Sequence, residues 1–359
     1  MIGEARHSGG PAPMSVEAIE REFAHLRMNE DGTVGLRASV LNLMVVTDEA
    51  SAERVTHTVS ELSGRFPCRA IVMISDPDET EPNLEVGVSA YCSVRGGGGG
   101  QVCAEQVTVH AEGPPAEHLE SLADPLLLPD LPVFLWYPGP FTTGAPEFEG
   151  MAALADRVIV DSAAARDRGA CLREIAALAD RQGAPLVGDL QWVGLTPWRS
   201  LICDLFNPAD RLPELDRLHR VEVLHDGRGE ARALLLVGWL AWALGWTPGG
   251  IERDGQVREI HFDTPNGDDV VVEVSGDSED ASLRRVRLYG ERLSFQVSRH
   301  REREEAASTV MREGELIAQR TTHLGFFEPA NILGEELRFR GDDRHYRGAL
   351  SMAASILEL

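Results

Sequence analysis

The chain has 359 residues, 43% hydrophobic and 26% charged, with 58 acidic against 34 basic side chains and a formal charge of -24 at neutral pH. That length and balance suit a soluble globular protein of two ordinary domains. The acidic excess argues against nucleic acid and anionic lipid as partners, both of which demand basic surfaces. The basic residues are all arginine, which excludes a lysine Schiff base and a phosphate-binding loop with its lysine.

In chain order, residues 1–14 are polar and Gly/Pro-rich and read as a disordered N-terminus. Ser15 then caps an amphipathic helix over 16–28, with Ile19, Phe23 and Leu26 on one face. Apolar runs at 40–46 and 70–74 predict buried strands, joined by a helix over 50–63 that Pro67 closes. Such a βαβ unit implies a parallel sheet with a right-handed crossover. Alternating Val86, Val88, Ala90 and Cys92, five glycines from Gly96 to Gly100, and a run over 102–111 predict a hairpin. A short helix over 117–122, a strand over 133–136, a helix at 150–155, a strand at 158–160, a long helix over 163–181 and a short strand at 186–187 follow. The segment 198–206 is helical, beginning nearer Trp192 with a break at Pro197.

Residues 207–213 mark the expected domain boundary. Beyond it a strand over 220–224 precedes an apolar helix over 232–245. Paired strands then flank turns at Pro265-Asn266-Gly267, Gly290 and Gly314, the pattern of an antiparallel meander. A helix over 346–357 closes the chain. The expected fold class is therefore α/β: an α/β domain over 15–208 with a mostly parallel or mixed sheet, followed by an α+β domain over 214–359.

No secretory signal is visible at the start, and the apolar run 233–246 is too short to span a bilayer. Five cysteines, without CxxC or zinc spacing, suit a reducing cytoplasmic setting.

Six features were weighed as chemistry. Trp192, Trp198 and Arg199, with Asp130 and Trp136 from a second tryptophan-bearing stretch, are candidate partner-binding residues, because Trp and Arg anchor interfaces; the alternative is core packing with an internally paired Arg199. Trp239, Trp242 and Trp246 share one face of an apolar helix and read as core. Asp48, Asp76, Asp161 and Asp189 each follow an apolar run, where an open parallel sheet hosts ligands; helix caps explain them more simply, as with Asp161-Ser162 before the helix at 163. A hairpin centred in the glycine run pairs residues whose numbers sum to 195, so that Val86 faces Val109, Val88 faces Val107 and Cys92 faces Cys103. These two cysteines could form a cross-strand disulfide, or pack as reduced thiols. The glycine run lacks a phosphate-binding pattern, the histidines (His110, His219, His225, His323) lack metal spacing, and the charged run 301–305 reads as a solvated loop. No catalytic, cofactor-binding or metal-binding residue is assigned, and no cofactor is expected.

Several segments together carry a resemblance. They are residues 37–46, Cys68-Arg-Ala-Ile-Val72, Cys103-Ala-Glu-Gln-Val-Thr-Val109, the stretch from Leu126 to Trp136, Asp189 to Arg199, and 234–241 with Gly245-Trp246. In this order the chain resembles the glucose-6-phosphate dehydrogenase assembly protein (OpcA) family. The resemblance implies a cytoplasmic, non-catalytic protein that binds glucose-6-phosphate dehydrogenase and promotes its active oligomer, supporting NADPH supply. Redox control associated with cyanobacterial members does not carry over, since no CxxC-like pair lies near this C-terminus. The competing expectation is a sensor or enzyme with a sugar phosphate or nucleotide at the carboxyl edge of the sheet.

Overall fold

The computed structural model describes all residues except 1–3, 8–14, 29–35, 38, 95–100, 256, 277–282, 301–304, 325–327 and 340. The expected disorder of 1–14 falls outside the described residues apart from Glu4–His7, as do the glycine run 96–100 and most of the charged run. The chain divides into two compact units, 1–161 with 181–188 and 328–341, and 162–180 with 189–327 and 342–359.

The first unit opens with β1 (Glu4–His7), α1 (Val16–Leu26) and β2 (Leu36–Arg37). The Ser15 hydroxyl accepts from the Ala18 N–H, the cap expected for α1. β3 (Asn42–Thr47), α2 (Glu49–Ser63) and β4 (Arg69–Asp76) form the βαβ unit, with β3 and β4 parallel. β5 (Asn83–Val94) and β6 (Gln101–Glu112) form the hairpin, followed by α3 (Leu119–Ala123), β7 (Val133–Tyr137), α4 (Pro146–Ala153) and β8 (Arg157–Val160). The chain enters the second unit for α5 (Arg168–Asp180), then returns for β9 (Leu186–Asp189).

The sheet order is β1-β5-β6-β4-β3-β7-β8-β9, with β2 beside β6. From β6 to β9 this is the strand order 3-2-1-4-5-6 of the Rossmann fold. One crossover departs from it. β4 and β6 are parallel, yet the antiparallel β5, not a helix, connects them and lies outside β6. The hairpin register is the one read from the sequence: Val86 opposite Val109, Val88 opposite Val107, Cys92 opposite Cys103. Apolar residues on both faces of β3 and β4 are buried, as parallel strands covered on two sides require.

In the second unit α6 (Leu190–Gly194) and α7 (Thr196–Phe206) lead to β10 (Arg220–His225) and α8 (Glu230–Leu244). The meander runs through β11 (Thr247–Asp254), β12 (Val257–Asp263), β13 (Asp269–Gly276), β14 (Leu283–Tyr289), β15 (Leu293–Arg299), β16 (Glu305–Arg312) and β17 (Glu315–His323). α9 (Pro329–Arg338) belongs to the first unit and α10 (Arg344–Leu357) to the second. The order is β11-β12-β13-β10-β14-β15-β16-β17, antiparallel except for β10 beside β13. Alternate side chains of β10 and β13 to β16 are buried beneath the helices, while their neighbours on the other face stay half-exposed.

Three expectations are corrected. Residues 207–213 lie inside the second unit, because α7 packs on β15 and β16, with the Phe206 and Phe295 ring centroids 4.3 Å apart. α5 starts at Arg168 and not at 163, because the Asp167 carboxylate accepts the Ala170 N–H and caps it there. β11 and α9 were not expected: Pro248, Gly249 and Gly250 mask the first, and Gly334 interrupts the apolar pattern of the second.

Two close contacts hold the units internally. In the first, Arg69 is 1% exposed and hydrogen-bonds Glu105, Glu20 and the Leu126 carbonyl, with Phe23 under its guanidinium at 4.9 Å. Burial alone would disfavour its charge, but the two carboxylates more than compensate and raise its pKa above the ordinary value. In the second unit, α8 and α10 cross so closely that a Cβ at Gly238 would collide with the backbone carbonyl of Ala349.

Arg69→Met is expected to destabilise the chain by about 3–5 kcal/mol in urea unfolding, because Glu105 loses a buried partner, and Arg69→Met with Glu105→Leu to recover part of that loss. Gly238→Ala is expected to cost about 1–3 kcal/mol by the same measurement, since backbone must move to admit one methyl.

Candidate functional site

The tryptophan and arginine candidates sit at the start of the second unit, where Asp189 caps α6 and Pro197 opens α7. Trp192 is 3% exposed and Trp198 2%, so both indoles are packed. The Trp192 Nε1–H donates to Asp343 Oδ2 at 2.8 Å, and the Tyr346 ring lies 5.7 Å away. Asp343 also accepts the His345 and Tyr346 N–H groups and so caps α10. The Arg199 guanidinium lies over the Trp192 ring, 3.5 Å from its centroid, and donates to Thr196 Oγ1. Burial lowers the Arg199 pKa to about 10, with the Asp343 charge opposing, so it remains a cation at neutral pH. This cluster ties α6, α7 and α10 together. A partner at this spot would meet Arg199, which is half-buried, and not the indole faces.

The other two candidates separate. Trp136 is 3% exposed in the centre of the first sheet, whereas Asp130 is exposed in the turn before β7, at a φ of 61°. Trp246 is buried against Phe262, while Trp239 and Trp242 of α8 stay half-buried, Trp242 against His345.

The strand-end acids cap helices and turns. Asp48 accepts the Ser51 N–H at 2.7 Å, Asp76 the Asp78 N–H at 3.1 Å, and Asp189 both the Gln191 and the Ser162 N–H. Among the described residues no three His, Cys, Asp or Glu side chains are grouped to hold a metal ion. The carboxyl ends of β3, β4 and β7 nevertheless open into a crevice of about 460 Å³. It lies where the chain passes from β3 to β4 on one side and β7 stands on the other, the switch point at which open α/β sheets bind ligands. Tyr137, Phe141 and Phe148 form an aromatic group there, with ring centroids 5.3 to 6.2 Å apart. Sequence reasoning missed it; the signal was the strand ending in Tyr137-Pro-Gly-Pro-Phe141.

A dinucleotide is the group this fold implies, and the residues do not fit it. A pyrophosphate needs glycines at the first βα turn and free N–H groups at the helix start. Here no glycine occurs from Leu43 to Ser63, the Asp48 carboxylate occupies the Ser51 N–H, and Glu49 adds a second negative charge in the first turn. The Asp48 carboxylate thus holds a helix-start N–H that a phosphate would need, and Glu49, whose carboxylate lies 3.7 Å from His110, adds negative charge beside it.

Cys92 and Cys103, opposed in β5 and β6, are joined as a disulfide. Cys68 and Cys171 are buried, and burial pushes the Cys68 thiol up to about 12; Cys203 is exposed. No described helix is long and apolar enough to cross a membrane.

Residues 59–177 match the family model described as the glucose-6-phosphate dehydrogenase subunit N-terminal domain, and 185–350 that of the C-terminal domain. The chain is 30% identical over 220 residues to a Nostoc punctiforme protein named "Putative OxPP cycle protein OpcA", covering 60% of this chain and 47% of that one. A Synechocystis protein of the same name is 27% identical over 241 residues, 63% of this chain and 50% of that one. The chain thus spans about half the length of these curated relatives. Among solved structures, a 3-ketoreductase from Actinomadura kijaniata with bound NADP superposes at a TM-score of 0.52, with 14% identity over 89% of this chain and 96% of that chain. A biliverdin reductase from Synechocystis gives 0.50, at 10% identity over 89% and 99%. At these identities the likeness is one of fold.

NADP+ is expected to leave the melting temperature unchanged, whereas a ligand at about a hundredfold its Kd would stabilise by about 2.7 kcal/mol. Peptide mapping of protein prepared without reductant is expected to show a linked 92–103 pair. Thiol labelling of the native protein should modify Cys203 first, with Cys68 and Cys171 reacting after unfolding.

Proposed function

Because the chain belongs to the OpcA family of glucose-6-phosphate dehydrogenase subunits, we propose that it is a non-catalytic partner of glucose-6-phosphate dehydrogenase that favours its active oligomer. The observation that carries this reading is the chemistry of the βα turn: an oxidoreductase fold whose first βα turn lacks glycine and whose helix start is held by the Asp48 cap, with Glu49 adding negative charge, serves as a scaffold. A partner of this kind acts by binding the active oligomer more tightly than its dissociated form, since differential affinity alone shifts such an equilibrium. The proposed setting is the cytoplasm, in support of NADPH supply.

The packed indoles of Trp192, Trp198 and Trp136 move the proposed contact elsewhere. We place it on the half-exposed face of the eight-stranded sheet, where Arg220 pairs with Glu222 and Glu273, Tyr289 donates to Glu222, and Arg287 donates to Gln296. These side chains are held by one another, so little rotamer freedom is lost when a partner covers them. Arg199 in the second unit and Asp130 in the first remain proposed contacts, each by itself.

The test mixes the chain with glucose-6-phosphate dehydrogenase of the same organism and follows oligomer size and activity. Co-elution with a larger oligomer and raised activity is the expected result. Arg287→Glu with Tyr289→Ala should weaken the complex about tenfold or more, whereas Trp192→Ala should lower stability before it lowers affinity. Absence of co-elution and of any activity change overturns the reading.

A further inference from the structure

The crevice at the carboxyl ends of β3, β4 and β7 belongs to the first unit, whereas the proposed partner face belongs to the second, and it has a chemistry of its own. Its volume of about 460 Å³ suits a metabolite-sized ligand. The charged side chains among its lining residues are those of Asp48 and Glu147, and no arginine or histidine among the described residues lines it. Arg54 donates to Ser51 but does not itself line the crevice. Both acids stand at helix starts, Asp48 as the cap of α2 and Glu147 in the first turn of α4. The aromatic group of Tyr137, Phe141 and Phe148 lines the same space as these acids.

Tyr137 supplies an independent observation. It is 7% exposed, it lines the crevice, and its buried hydroxyl has no hydrogen-bond partner among the described residues. A buried hydroxyl without a partner costs free energy that a bound group restores. Burial, and then the nearby Glu147 charge, raise the phenol pKa well above its ordinary value, so it stays a neutral group that can donate or accept.

From these observations we propose that the crevice binds a small amine-bearing molecule, its ammonium held between Asp48 and Glu147 and its body against Tyr137 and Phe141. An ammonium near two carboxylates and an aromatic face gains both ion pairing and cation–π attraction. The same carboxylates repel sugar phosphates and nucleotides, which inverts the ligand preference that the fold alone would suggest. The inference goes beyond the partner reading and stands or falls separately from it.

The test titrates the full chain by calorimetry with 2-phenylethylamine, phenylacetate and glucose 6-phosphate. The amine is expected to bind saturably, and phenylacetate, with the same ring and the opposite charge, at least about tenfold more weakly. Asp48→Asn together with Glu147→Gln should reduce amine affinity about tenfold or more; asparagine still caps α2, so the fold survives. Tyr137→Phe should weaken the amine severalfold while raising the melting temperature of the unliganded chain or leaving it no lower, because an unpartnered buried hydroxyl is removed. Failure of the amine to saturate, equal or tighter binding of phenylacetate or glucose 6-phosphate, or unchanged affinity in the folded double variant overturns the proposal. None of these outcomes depends on whether the dehydrogenase binds.

Discussion

The buried Arg69 cation anchors the first unit. Arg69 and Glu105 are register partners on the adjacent parallel strands β4 and β6, so their ion pair reports and reinforces the pairing of those strands. Glu20 of α1 reaches the same guanidinium and Phe23 lies beneath it, which docks the N-terminal helix on the amino edge of the sheet. The Leu126 carbonyl takes a further N–H and fixes the connection leading to β7. A charge this poorly hydrated is tolerated because its donors are met by carboxylates and a carbonyl; with one carboxylate gone, the desolvation of the remainder would no longer be offset.

With the amino edge closed by that network, chemistry is left to the opposite edge. All the parallel strands deliver their carboxyl ends there, and the residues that follow them decide what the crevice accepts. In a dinucleotide enzyme the first of these turns is glycine-rich and open to phosphate. Here it is Thr47-Asp48-Glu49, and the cap that stabilises α2 is the group that excludes the anion. One carboxylate thus ties local helix stability to the chemistry of the first βα turn.

The second unit is organised by a different device. Asp343 caps α10 and accepts from the Trp192 indole edge, while Arg199 stacks over that ring. Tryptophan and arginine are abundant in interfaces because they join apolar area to polar reach. The same pairing of properties makes them good internal ties between helices, and here they serve that role. The sheet face left half-exposed carries arginine, glutamate, tyrosine and glutamine and, among the described residues, no indole.

Local and periodic features were legible in the sequence. Ser15 and Asp189 before helices, the alternating Val86 to Cys92 strand, and the glycine-marked turns at Gly267, Gly290 and Gly314 depend on short-range sterics and hydrogen bonding, and they appear where periodicity placed them. Even the Cys92–Cys103 opposition followed from hairpin arithmetic, because register in an antiparallel pair is set by the turn. What tertiary structure decided depends on which distant surfaces meet. The sequence could not tell that α7 packs on β15 and β16, so the unit boundary was read too late. Nor could it tell that Asp343 would claim Trp192, or that Tyr137, Phe141 and Phe148 would gather beside Asp48. Amphipathy specifies that a side chain is buried, but the identity of its neighbour depends on chain crossings that no local pattern encodes.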